Sequence, residues 1–256
     1  MEKIPAFSLT GVSKNFLSRQ GVRVNALEGV SFSAEKGAIT CLVGPTGSGK
    51  STVLRLLSGL ELPDSGEVLV DGAAAAHGKI SIGYLTQHHT LFPWLSTSEN
   101  IGLPLEIKKI HEAERSRRVA RICEMLGLKD AQKLYPYELS GGMQQRSALG
   151  RLLASDSLYW LMDEPFNALD ERTRHQLQAL LIKLASENGV SVLFVTHSID
   201  EAVFLADRII VLSPNPGRVE GSFDISIKHP RNRLSPEYGK LIEEVRQSIE
   251  AVIKEE

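Results

Sequence analysis

The run Gly44-Pro45-Thr46-Gly47-Ser48-Gly49-Lys50-Ser51 sets three spaced glycines, a lysine and a hydroxyl in the spacing G-x-x-x-x-G-K-S. Glycines let the backbone curl until several N–H groups converge on one anion, and the N-terminus of a following helix adds partial positive charge. In such a loop Lys50 reaches the β- and γ-phosphates as a point charge, and the Ser51 hydroxyl ligates magnesium. The chemistry on offer is the gripping of a nucleoside triphosphate.

A second set of residues could act on that ligand. The apolar run Leu158 to Met162 ends in Asp163-Glu164-Pro165. A carboxylate at the end of a parallel strand sits at the edge where such sheets bind ligands, so Asp163 is expected to hold magnesium through water. Glu164, beside it, is placed to orient or deprotonate an attacking water, help worth about 10²–10⁴ in rate. His197 follows the strand Val192–Val195 and Thr196 and could hydrogen-bond the γ-phosphate or the water; Gln87, after Ile82-Gly83-Tyr84-Leu85, could contact magnesium or water through its amide. Taken singly, a strand-end histidine or glutamine is more often structural.

Between these sets lies Leu139-Ser140-Gly141-Gly142-Met143-Gln144-Gln145-Arg146. Ser140, Gly141 and Gly142 precede a helical pattern from Met143 to Leu153, and so offer a second helix N-terminus to an anion. Binding one nucleotide from one side has no use for it.

The elements that must position these groups read as an α/β chain. Ile39–Val43 is a short apolar strand entering the glycine loop, and Val53, Leu54, Leu56, Leu57 and Leu60 recur behind it at helical spacing. Residues 4 to 40 hold strand-like patches, residues from about 95 to 155 become helical, and Ala73–Ala76 reads as a loop. Strands at 158–162 and 191–195 with a helix from Arg172 to Ala185 between them imply a parallel sheet. Ser235 and Pro236 open an amphipathic closing helix with Tyr238, Leu241, Ile242, Val245, Ile249 and Val252 on one face. With 256 residues, 42% hydrophobic and 23% charged, the chain can bury its own core.

Other features exclude functions. A net charge of -2 offers no footprint for nucleic acid. No window approaches the ~18 apolar residues of a membrane span, and no secretory leader is seen, so a membrane-crossing part is expected on another chain. Cys41 and Cys123 form no disulfide framework and fit a reduced, cytosolic compartment. Adjacent His88 and His89 lack metal-site spacing. The basic run Lys108 to Arg121 is interleaved with Glu112 and Glu114, as a solvated helix face is.

Together the motifs resemble the ATP-binding-cassette (ABC) ATPases, in order along nearly the whole chain: loop 44–51, Gln87, signature 139–143, carboxylate strand 158–164, Ala168-Leu169-Asp170, and His197. The resemblance implies a P-loop NTPase fold of ABC ATPase type, with a RecA-type core, an antiparallel β region and a helical subdomain. The ATPase domain would span residues 1–215, its helical part about 95–155, and a C-terminal extension 216–256. It implies ATP and Mg²⁺ as ligands, Gly44 to Thr52 around the phosphates, and Phe16 stacked on adenine, against a plain reading of Phe16 as core. Two copies would pair head to tail, with Ser140, Gly141, Gly142 and Gln144 completing the partner's site and Asp170 in the dimer loop.

A finer likeness is to importers of nitrate, sulfonates and taurine, carried by 87–95, 163–170 with Thr173-Arg174, 196–202 and 213–218. In that branch Leu91, Phe92, Pro93 and Trp94 would meet a permease, or else pack locally. It implies a peripheral subunit on the cytoplasmic face of the membrane, serving permease subunits and, indirectly, a periplasmic or extracellular substrate-binding protein. Asn167, Ser198 and Gly150 depart from common family choices, Gly150 as an interruption of the helix after the signature. The rivals are an ABC-type ATPase acting on nucleic acid or ribosomes, and a module that holds ATP without turnover. Missing coiled coils and second cassette weigh against the first; Glu164 and His197 weigh against the second.

Overall fold

The computed structural model describes residues 4–17, 21, 23–75, 80–87 and 91–254, with side chains followed as far as residue 247. His88, His89 and Ala76, and the side chains of Ile249 and Val252, lie outside the described residues. The chain divides into two compact units, one of Met1–Ile80 with Ala185–Glu256 and one of Ser81–Leu184.

The first unit holds two groups of strands. β1 (Phe7–Leu17) lies between β2 (Arg23–Ala34) and β4 (Ser65–Val70), antiparallel to both, with Phe7 opposite Ala34 on one side and Val70 on the other. Phe7, Leu9 and Val12 of β1 are buried. The alanine run corrects one expectation: Ala73–Ala74 is a short strand, β5, paired with Val70 and Leu69 of β4, because the turn at Asp71-Gly72 folds it back as a hairpin.

In the other group, β3 (Ile39–Val43) is flanked in parallel by β8 (Ser191–Thr196) and β9 (Arg208–Leu212), and β10 (Val219–Asp224) adds antiparallel to β9. Every residue of β3 and β8 is buried, which is why both read as unbroken apolar runs rather than alternating ones. Helix α1 (Lys50–Leu57) leaves the glycine loop with Val53, Leu54, Leu56 and Leu57 buried. Leu60, counted on that face from its spacing, lies beyond the helix and is exposed. Helix α6 (Ile199–Leu205) follows β8, and α7 (Pro236–Lys254) closes the chain. The Ser235 hydroxyl accepts the Tyr238 N–H at 3.2 Å, so the expected cap is formed.

In the second unit β6 (Ile82–Leu85) runs parallel to β7 (Tyr159–Asp163), with Ile82 opposite Tyr159 and Leu85 opposite Met162. Helices α2 (Thr97–Ile107), α3 (Glu112–Met125) and α4 (Gly141–Ala154) pack on one another, and α5 (Glu171–Asn188) follows the carboxylate loop. Helix α4 begins at Gly141, so both signature glycines lie inside its first turn instead of before it. Gly150 does not interrupt α4. A Cβ there would stand 2.9 Å from Leu126 Cδ1 and 3.0 Å from Ile101 Cδ1, so glycine lets three helices approach closely. No helix among the described residues is long and apolar enough to cross a membrane.

Candidate functional site

The glycine loop is built by its neighbours in the first unit. Gly47 and Gly49 sit at φ 87° and 80°, backbone that side chains disfavour. A Cβ on Gly44 would meet the Leu212 carbonyl oxygen at 2.5 Å, and one on Gly49 would meet Leu27 Cδ2 at 2.5 Å. Gly217 presses on the Ser48 carbonyl so tightly that no side chain fits there. Its N–H donates to the Ala26 carbonyl at 3.1 Å and its carbonyl accepts from Glu28 N–H at 3.0 Å. The segment Ser213–Arg218, noted in sequence only as a family likeness, therefore supports the loop from below.

Lys50 is buried, and its ammonium donates to the Gly44 carbonyl at 2.9 Å, the Pro45 carbonyl at 2.7 Å and Ser48 Oγ at 3.2 Å. These oxygens hold the cation at the loop, where phosphate oxygens would be stronger, anionic acceptors. Thr46, Gly47 and Ser51 face solvent, and Pro45 and Thr52 are half-buried. The N-cap of α1 is Gly49, with no side-chain cap and no acidic residue in the first turn. That helix end suits a bound polyphosphate, since nothing of its own occupies or repels the position.

Phe16, on β1, is half-buried, with the Lys14 ammonium 5.2 Å from its ring centroid. Lys14 itself is tied to the Leu62 carbonyl at 2.8 Å. His197 is exposed just past β8. Cys41 lies inside β3, its thiol pushed well above the ordinary range first by burial and then by Glu201; Cys123 is pushed up to about 11 by burial. Both are protonated and inert near neutrality.

In the second unit, Asp163 is buried at the end of β7 and Glu164 half-buried after it, at φ 44°. The Asn167 amide donates to Glu164 Oε2. The following loop is pinned from inside: Arg174 donates to the Leu169 carbonyl at 2.8 Å and to the Phe166 carbonyl at 3.4 Å. Asp170 Oδ1 accepts the Thr173 N–H at 2.9 Å, capping α5. Among the described residues no three His, Cys, Asp or Glu side chains cluster to hold a metal alone. An ion that arrives with phosphates and keeps several waters needs no such cluster.

Ser140 caps α4, its Oγ accepting the Met143 N–H at 3.4 Å, and the first turn again has no acidic residue. Ser140 and Gly141 are exposed. Gln144 is half-buried, and its amide donates to the Pro136 carbonyl at 2.8 Å and the Leu139 carbonyl at 3.3 Å, shaping the turn that leads into α4. Gln87 is exposed beyond β6.

The apolar cluster after Gln87 splits. Leu91 is buried, while Pro93 and Trp94 are exposed, Trp94 at 69%. Phe92 is between, its ring 5.3 Å from that of Trp94 and 5.7 Å from the Arg151 guanidinium. Sequence reasoning missed what holds this loop. Asn100 is fully buried; its Oδ1 accepts the Phe92 N–H at 2.8 Å, and its amide donates to the carbonyls of Phe92, Leu95 and Ser96 at 2.9–3.1 Å. The readable signal was the capping box Ser96-x-x-Glu99 that opens α2 one residue before it.

A family model described as ABC transporter matches residues 27–167. The aliphatic sulfonates import ATP-binding protein of Bacillus cereus is 37% identical over 95% of this chain and 95% of its own length. The nitrate import ATP-binding protein of a Synechocystis strain is 37% identical over 93% of this chain and 92% of its own. Among solved structures, the ATP-binding cassette MJ0796, a dimer in a post-hydrolysis state bound to ADP and Pi, superposes with a TM-score of 0.77 at 32% identity. That match covers 87% of this chain and all of that one.

Proposed function

The chain belongs to the ABC transporter family and has its P-loop NTPase fold, and we propose that it binds and hydrolyses ATP to drive a small molecule through a separate membrane permease. One observation carries this reading. The chain owns two helix N-termini suited to phosphate, α1 behind the glycine loop and α4 behind Ser140, each without an acidic residue in its first turn. One nucleotide gripped by one chain needs only the first. Two copies set head to tail use both, each lending Ser140, Gly141 and Gly142 to the other's ATP; the dimeric cassette of known structure supports that assembly.

In this reading Lys50 and the backbone of residues 44–52 bind the β- and γ-phosphates, and Phe16 offers its ring to the adenine. Ser51, Asp163 and Gln87 hold Mg²⁺, which when bound neutralises charge developing on the phosphates. Glu164 draws the proton from the attacking water, and His197 donates a hydrogen bond to the γ-phosphate. Asp170 lies in the dimer loop. Pro93 and Trp94, with Phe92, supply the apolar surface for the permease. The relatives' names, sulfonate and nitrate import, support cargo of the nitrate, sulfonate and taurine class. Such a subunit sits at the cytoplasmic face of the membrane and receives cargo indirectly, through a periplasmic or extracellular binding protein.

Mixing two inactive variants tests the shared site. A Lys50→Ala and a Ser140→Ala chain, each dead alone, should together form heterodimers with one intact composite site and regain part of the ATPase rate. No recovery, with heterodimers demonstrated by tagged pull-down, overturns the head-to-tail reading.

A further inference from the structure

Helix α6 begins two residues past His197, and a closed set of hydrogen bonds brackets that histidine. The Ser198 N–H donates to Thr196 Oγ1 at 3.0 Å, and the Thr196 hydroxyl donates to Glu201 Oε2 at 2.5 Å. The Glu201 N–H donates to Ser198 Oγ at 3.3 Å. Residues on both sides of His197 are thus tied to one buried residue, Glu201, which is 3% exposed: Thr196 to its carboxylate and Ser198 to its backbone N–H.

The same short helix is held at both ends by the C-terminal segment. The Tyr238 hydroxyl lies 3.0 Å from both the carbonyl oxygen and Oδ1 of Asp200, in the first turn of α6. Arg233 pairs with the other Asp200 oxygen at 3.4 Å and stacks its guanidinium 3.7 Å from the Phe204 ring centroid. At the far end Arg231, 7% exposed, donates to the Val203 carbonyl at 2.8 Å and the Phe204 carbonyl at 3.1 Å. Those last-turn carbonyls have no partner within an α-helix and carry its negative end, so a buried cation there fixes where the helix stops. Tyr238 is 1% exposed, so its hydroxyl is held in place by packing.

We propose that Glu201 is a positioning residue for His197, and that Arg231, Arg233 and Tyr238 brace α6 so that Glu201 can act. The C-terminal segment is then a strut for the histidine rather than an appendage. The idea rests on His197 acting at the γ-phosphate, as read above.

The test uses the full-length chain with Mg-ATP and isotope-labelled histidine. Tyr238→Phe removes only the hydroxyl bonded to α6; Thr196→Val removes the link to Glu201, and Thr196→Ser restores it. The first two should lower kcat about 3–10-fold, the worth of one hydrogen bond, with KM for Mg-ATP unchanged. They should also move the ring resonance of His197 and leave that of His111 in place, while Thr196→Ser behaves as wild type. A lost Tm with kcat intact, or a lower kcat with the His197 resonance unmoved, overturns the proposal. His197→Ala separates the two layers. If that variant turns over normally while Tyr238→Phe still moves the His197 resonance, the link stands and the catalytic reading of His197 fails.

Discussion

Thr173 Cγ2 occupies the space a side chain on Gly142 would need: a Cβ at that glycine would stand 2.7 Å from it. The signature turn at the start of α4 is therefore set by contact with the first turn of α5, directly after the Asp170 cap. Gly142→Ala must push α4 from Thr173, overpacking worth about 1–3 kcal/mol. The expected result is an ATPase rate at least about tenfold lower, with binding of nucleotide to the single chain unchanged. Adding Thr173→Ser, which deletes the opposing methyl and keeps the hydroxyl, should restore much of the rate. If the double variant is as slow as Gly142→Ala alone, the two residues are not coupled through this contact.

Glu164 is a non-glycine residue at φ 44°. Left-handed backbone costs an L-residue roughly 1–2 kcal/mol, so the turn that aims this carboxylate is held by what surrounds it. Asn167, one of the departures from common family choices, supplies part of that hold through the hydrogen bond its amide donates to Glu164 Oε2. Glu164→Gln keeps the shape and removes the proposed base. Phosphate release should fall by about 10²-fold or more, while ATP still binds and an ATP-bound dimer accumulates on size exclusion. Turnover near wild type would assign the base elsewhere.

What could be read beforehand was what depends on neighbours in sequence. The strand, glycine loop and helix from Ile39 to Leu57, the strand ending at Asp163 and the Ser235 cap each follow from a run of a few residues with one period or one punctuating residue. Contacts between distant residues were not legible. Gly217 beneath Ser48, Gly150 between Ile101 and Leu126, and Arg231 on the end of α6 carry no local pattern, since each side chain or its absence is explained only by a partner far along the chain. Gly150 shows the cost: by propensity alone a mid-helix glycine looks like a break, whereas packing makes it the residue that fits. Leu91 shows the converse, since an apolar residue in an exposed-looking cluster proved to be interior.

The loop that presents Pro93 and Trp94 depends on one amide. Asn100 uses both its oxygen and its NH₂ on the backbone of residues 92–96, in full burial. Asn100→Ala takes their side-chain partner from the Phe92 N–H and the Leu95 carbonyl, while the Phe92 and Ser96 carbonyls keep the N–H groups of Leu95 and residue 100, at about 1–3 kcal/mol of stability. Urea unfolding should show that loss. Capture of the permease should weaken as well, although residue 100 itself is buried. A variant with the expected loss of stability but undiminished capture would separate this loop from permease docking.

Asp170 gives the chain a charge whose effect has a definite sign. Its Oδ1 accepts the Thr173 N–H at 2.9 Å. That backbone bond, followed by the Thr173 side chain, holds the carboxyl below the ordinary aspartate value of 3.8. A folded value below the unfolded one means that the unfolded chain binds more protons there. The stabilisation is complete above the unfolded value and disappears as pH falls through the folded one. Asp170→Asn keeps an oxygen for the cap but carries no charge, and the charge is what the N-terminus of α5 favours. Thermal scans should therefore give the variant a lower Tm than wild type near neutrality, and the gap should narrow as pH falls below the unperturbed aspartate value of about 3.9. A gap that stays constant into acid would mean that the shape of the cap, not its charge, sets the stability of this turn.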